Sequence, residues 1–148
     1  MVKAVFDTSA LIPLPLPQSL STRLFDRLLD GGHVIVVSPN ILGELEDKLL
    51  GSRSVRRWLA ISDEDARSFL ELLPESCLVV KGEVEIRGEV PDDPDDDRIL
   101  VAALEGGAQY VVTEDKHLLR LGTWRGIAIV TRAGLMAELD RLETTGTC

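Results

Sequence analysis

Acidic side chains dominate the residues of this chain that could do chemistry. Asp92, Asp93, Asp95, Asp96 and Asp97 fall within six positions, Asp7 ends an apolar run, and Asp115 follows another closely. Carboxylates brought together repel one another, and cations relieve that repulsion. All-oxygen donors select hard divalent ions such as Mg²⁺ or Mn²⁺. Zinc is disfavoured, because Cys77 and Cys148 lie 71 positions apart and the two histidines form no cluster. His33 and His117 are not paired with any nucleophile. Taken singly, an aspartate after a strand is a turn or cap residue, and an acidic run is a solvated loop. The question is whether the fold gathers these acids.

Four apolar runs read as strands: Val2–Phe6, Val34–Val37, Gln109–Val112 and Ile127–Val130. Cys77–Val80 is a further candidate, giving about five. Between them, Leu20, Leu24, Phe25, Leu28 and Leu29 keep helical spacing up to Gly31-Gly32. Ser38-Pro39 opens a helix with the stripe Ile41, Leu42, Leu45 and Leu49. Ser62 caps another helix, which ends at Pro74; one runs from about Asp95 to Glu105, and Thr131 caps a last one to about Leu142. Pro13, Pro15 and Pro17 predict an extended link, and Gly82–Pro91 shows no period. Residues 1–142 are expected to form one domain, and 143–148 a flexible tail.

Strands alternating with helices imply a mostly parallel sheet with helices on both faces. Such sheets bind ligands beyond the carboxyl ends of their strands, where strand order reverses. That selects Asp7 and Asp115. On the helix after Asp95, the stripe of Ile99, Leu100, Ala103 and Leu104 centres within about 10° of Asp96 and about 90° from Asp97. Asp96 therefore points toward the sheet. The same arithmetic does not separate Glu44 from Glu46, each about 85 to 115° off its stripe.

The ordered segments VFDTSALI, VVSPNILGELEDKL, DDPDDDRILVAALEGGAQYVVTEDKHLL and IAIVTRAGLMAEL resemble the PIN-domain ribonucleases, in particular the VapC-like toxins of toxin-antitoxin pairs. The resemblance spans residues 2 to 142. It implies a three-layer PIN-like α/β fold and places the family's four acids on Asp7, Glu44, Asp96 and Asp115, with Asp93 as companion. Family register thus favours Glu44 over Glu46, and leaves Asp97 as the alternative to Asp96. Thr8, Ser38 and Thr113 match polar positions near the acids. Glu114 stands where the branch often has glycine.

The implied activity is Mg²⁺- or Mn²⁺-dependent hydrolysis of RNA phosphodiester bonds. Asp7 and Asp96 would hold the principal metal, Asp115 and Glu44 would complete it or recruit a second, and Thr8 or Thr113 would orient water or a ligand. The resemblance also implies a homodimer and a protein antitoxin that covers the site. The opposing class is a non-catalytic PIN-like module acting through a protein or RNA partner. A receiver domain lacks its acceptor aspartate at Val79-Val80-Lys81, and a haloacid-dehalogenase-like phosphatase would need Asp-x-Asp where Asp7-Thr8-Ser9 stands.

An acidic cleft needs a basic rim to attract phosphates. Lys48, Arg53, Arg56 and Arg57 are the densest basic group, and Lys116 follows Asp115. The formal charge of −9 opposes nucleic-acid binding in bulk, yet five of those acids lie in the single run. Aromatic residues at 4% give no sign of base stacking. At 45% apolar and 28% charged, the 148 residues suit one globular core rather than disorder or a disulfide scaffold. No apolar run reaches the ~18 residues of a membrane span. With no secretory signal visible, a cytoplasmic location is expected.

Overall fold

A computed structural model describes residues 1–86 and 97–144. Among these residues six strands form one sheet: β1 (Lys3–Phe6), β2 (Val34–Val37), β3 (Leu78–Val79), β4 (Tyr110–Val112), β5 (Thr123–Trp124) and β6 (Ile127–Val130). Their order is β3-β2-β1-β4-β6-β5, and every pairing is parallel except β5 with β6. The sixth strand is β5, two residues turned back through Arg125-Gly126, both at positive φ. It is too short to show a period. β3 is likewise shorter than the expected Cys77–Val80, and its exposed residues mark it as an edge.

Among the described residues eight helices surround the sheet: α1 (Thr8–Leu11), α2 (Leu20–Asp30), α3 (Pro39–Gly51), α4 (Arg53–Leu59), α5 (Asp63–Leu72), α6 (Asp97–Gly106), α7 (Lys116–Leu119) and α8 (Arg132–Thr144). Ala4, Val5 and Phe6 are consecutively inaccessible, as are Ile35, Val36 and Val37, so both faces are covered. Phe6 meets Phe25 of α2 edge-on, with ring centroids 5.9 Å apart. On the opposite face, α6 approaches so closely that a Cβ at Gly106 would stand 2.7 Å from Val36 Cγ1. β1 register sets Val5 beside Val36 and Val111, which therefore share the α6 face.

The proline segment differs from the expected extended link. It coils through consecutive turns, with Leu14 N–H donating to Leu11 O, Leu16 to Pro13 O and Ser19 to Leu16 O. The Ser19 hydroxyl also reaches Pro13 O at 3.0 Å, and Thr22 Oγ1 lies 2.8 Å from Leu16 O. Proline forbids helix by removing donors, but its φ suits turns, and neighbouring hydroxyls supply the partners. At the other end Thr131 caps α8 as expected, its hydroxyl accepting the Gly134 N–H, and the helix continues to Thr144. There Arg27 of α2 pairs with Asp140 and Glu143, each at 2.8 Å.

Gly106→Ala is expected to destabilise the domain by about 1–3 kcal/mol through overpacking against Val36. Gly43→Ala, in mid-helix with open space at its Cβ, is expected to stabilise by about 0.5–1 kcal/mol. Urea denaturation of both variants distinguishes the sheet-facing glycine from the open one.

Candidate active site

Strand order reverses between β1, whose next strand lies on one side, and β4, which lies on the other. The crevice beyond their carboxyl ends is where such a sheet accepts ligands. Asp7 is the first residue past β1, and its N–H still donates to Val112 O at 3.0 Å. Its side chain is 5% exposed. Oδ1 accepts the Thr8 N–H at 2.7 Å, capping α1, and Oδ2 accepts the Thr113 hydroxyl at 2.7 Å and the Ser9 hydroxyl at 3.1 Å.

Thr113, fully buried beyond β4, joins two of the expected acids. Its hydroxyl donates to Asp7 and accepts the Asp115 N–H at 3.0 Å. The Asp115 carboxylate in turn accepts the His117 N–H at 2.9 Å and caps α7. Both strand-end aspartates are thus helix caps as well as crevice residues. Ser9, which the sequence reading passed over, lies 3.3 Å from Thr113 Oγ1 and accepts the Glu114 N–H at 3.0 Å. Its signal was present in the pair of hydroxyls directly following Asp7.

Glu44 reaches the same crevice through a cation. Lys48 Nζ lies 3.1 Å from Glu44 Oε1 and donates to Thr8 Oγ1 at 3.2 Å, and that hydroxyl is 3.3 Å from Asp7 Oδ1. Both Glu44 and Lys48 belong to α3, which Ser38 caps from a buried position by accepting the Ile41 N–H. Asp93 and Asp96 lie outside the described residues. Asp97 begins α6 and is 8% exposed, although it lies well to the side of the apolar stripe. The stripe arithmetic loses force here because Ile99 through Ala103 are all buried, so the covered arc of the helix is wider than the apolar stripe, although Arg98 is exposed.

Donor chemistry suits a hard cation. The buried Asp7 carboxylate is held by an amide and hydroxyls, with no cationic side chain paired to it among the described residues. Burying a carboxylate without a counter-charge is costly. Among the described residues, however, no three acidic, histidine or cysteine side chains group to hold a metal ion.

The basic candidates divide. Arg53 and Arg57 are exposed on α4, as is Lys116 on α7, whereas Arg56 is tied to Asp63 at the start of α5. With Leu50 and Ile61 the three arginines line a recess of about 440 Å³. Glu114 is accounted for by structure: its carboxylate accepts the Arg132 backbone N–H at 2.9 Å and pairs with the Arg132 guanidinium at 3.2 Å, fastening the β4 loop to α8. Cys77 is no nucleophile, since burial pushes its thiol up to about 12.

One carboxylate holds the chain that leaves β3. Glu105, near the end of α6, accepts the N–H groups of Gly82 at 2.7 Å, Glu83 at 2.7 Å and Val84 at 2.8 Å. Those hydrogen bonds, the one from Val84 foremost, hold the Glu105 carboxyl below the ordinary carboxylate value. The chain leaving β3 is thereby pinned to the helix whose other end carries Asp97.

The PIN domain family model matches residues 3–117. The chain belongs to the PIN-domain family. Among solved structures, a chain of VapBC2 from Rickettsia felis, bound to a DNA fragment from the promoter, matches with a TM-score of 0.63 and 16% identity. That match covers 88% of this chain and 98% of the other, and at such identity it speaks for the fold. The PIN-like sheet expected from the sequence is therefore the one present. A search of curated proteins finds no match.

Thr113→Val is expected to cost this PIN domain about 1.5–3 kcal/mol, because Asp7 and the Asp115 N–H each lose a buried partner. Thr113→Ser should retain most of that stability in urea denaturation. For Glu105, the contribution to stability is present above the ordinary value of about 4.3 and is lost as pH falls through the lowered folded value. NMR should show the Gly82, Glu83 and Val84 amide signals titrating together with a midpoint below about 4.3. In Glu105→Gln that titration should vanish.

Proposed function

We propose that this PIN-domain protein is a metal-dependent endoribonuclease, acting as the toxin of a toxin-antitoxin pair. The observation carrying this reading is the Thr113 hydroxyl shared between Asp7 and Asp115, at the point where strand order reverses in a PIN fold. Asp7, Glu44, Asp96 and Asp115 would hold Mg²⁺ or Mn²⁺, with Asp93 and Asp97 as neighbouring acids. When bound, such ions lower the pKa of water and stabilise the leaving oxygen of a phosphodiester.

The chain's own contributions are positional. Thr113 and Ser9 fix the Asp7 carboxylate from one side and the Thr8 amide fixes it from the other. Lys48 offers Glu44 a counter-charge and, with Arg53, Arg57 and Lys116, supplies cations for the phosphates of RNA. The structural likeness to a VapBC2 chain supports a protein antitoxin as partner. A homodimer and a cytoplasmic location accord with the same reading, and no helix among the described residues is long and apolar enough to cross a membrane.

Purified protein incubated with structured and unstructured RNAs should cleave with Mg²⁺ or Mn²⁺ and stop with EDTA. Asp7→Asn should lower the rate about a hundredfold or more. Comparing Asp96→Asn with Asp97→Asn assigns the α6 ligand. Cleavage that survives EDTA or Asp7→Asn would sink the nuclease reading. Binding of Mn²⁺ and RNA without turnover would favour the non-catalytic module.

A further inference from the structure

Trp58 and Trp124 are the two tryptophans of the chain, and they are placed in opposite ways. Trp124 is 8% exposed, with the Arg125 guanidinium 4.6 Å from its ring centroid. Trp58 is 61% exposed on α4, and among the described residues neither a ring nor a cation covers it. One helical turn back stand Ser54, too short to lie over an indole, and Val55, which packs against the core. An exposed indole offers a flat apolar face with a polar N–H at its edge, which a planar partner can use.

The surroundings specify the chemistry of the occupant. α4 contains three arginines and no acid, in a chain of net charge −9. Arg53 and Arg57 stand one turn apart, exposed and without an ion pair among the described residues, and Trp58 directly follows Arg57. Helix α4 also begins five residues beyond Lys48, which touches Thr8 in the crevice. On the helix Trp58 stands about 100° round from Arg57, so the indole and the guanidinium groups occupy adjoining faces of α4, which suits a strand whose bases and phosphates point in different directions.

We propose that Trp58 stacks on an unpaired base of single-stranded RNA whose phosphates lie on Arg53 and Arg57. This inference rests on the ribonuclease reading and adds to it a site that grips the substrate away from the acids. It also runs against the low aromatic content, because one exposed indole in the right place is sufficient for a stack.

The test uses the full chain with a fluorescein-labelled 12-nucleotide oligouridylate in EDTA at low salt, where phosphate contacts are strongest and cleavage is stopped. Anisotropy reads affinity, while indole emission reads stacking. RNA should quench the emission of wild type but not that of Trp58→Phe, which retains only the buried Trp124. Trp58→Ala should weaken binding about 5- to 100-fold, and Trp58→Phe far less, since a phenyl ring still stacks. Equal affinity in Trp58→Ala with unquenched wild-type emission overturns the stack and leaves the RNA reading standing. Absence of RNA binding by wild type overturns both. A wild-type dimer in sedimentation that Trp58→Ala dissociates, with RNA affinity unchanged, assigns this face to a second copy of the chain instead.

Discussion

The buried carboxylate of Asp7 is the constraint around which the rest of this domain is arranged. Its backbone N–H closes the β1–β4 ladder on Val112 O, so its position is set by the register of the two strands at which sheet order reverses. A one-residue slip of β1 would exchange the residues facing α6 with those facing α2. Both sets are inaccessible, which makes the slip costly and the carboxylate's place rigid. Among the described residues, the side-chain and amide donors to the Asp7 carboxylate, from Thr8, Ser9 and Thr113, all come from the segments that directly follow those same two strands.

A chain with so many acids must keep them from unfolding it, and it deals with them individually. Glu114 is held by Arg132, Glu105 by three amides, and Asp140 and Glu143 by Arg27. Surface pairs of this kind contribute little each, but several here fasten a loop to a helix or one helix to another. Asp7 differs because its donors are neutral. Hydrogen bonds fix its orientation without supplying a counter-charge, which leaves that carboxylate suited to a cation brought from outside.

Much of this was legible from residue types, and the parts that were not have physical reasons. The β1, β2, β4 and β6 runs were readable because strands buried on both faces must be continuously apolar. Asp7 and Asp115 followed from their positions just past two of those runs. The turns over Pro13–Pro17 were not readable, since they depend on hydroxyls of Ser19 and Thr22 folding back from α2. Helical angle favoured Asp96, which lies outside the described residues, yet Asp97 is itself buried, because α6 is covered by the sheet on one side and packs on α3 as well. Glu44 needed the family's register, as its own helix leaves Glu44 and Glu46 equally exposed to the eye of a wheel calculation.

The break between α3 and α4 shows how a local choice reaches the site's periphery. Ser52 receives the end of α3, its N–H donating to Lys48 O, while its hydroxyl accepts the Val55 N–H and starts α4. Its extended backbone turns the chain between two helices that a continuous periodicity would have run together. Lys48 is thereby left on the crevice side with Thr8, while Leu59 is carried into the core and Arg53, Arg57 and Trp58 into solvent. A single straight helix would have kept Arg53 and Arg57 in fixed angular relation to Lys48. The serine releases that relation, so the basic group read from sequence as one patch is two: a lysine held between Glu44 and Thr8 at the crevice, and a pair of arginines on the short helix that also carries an uncovered indole.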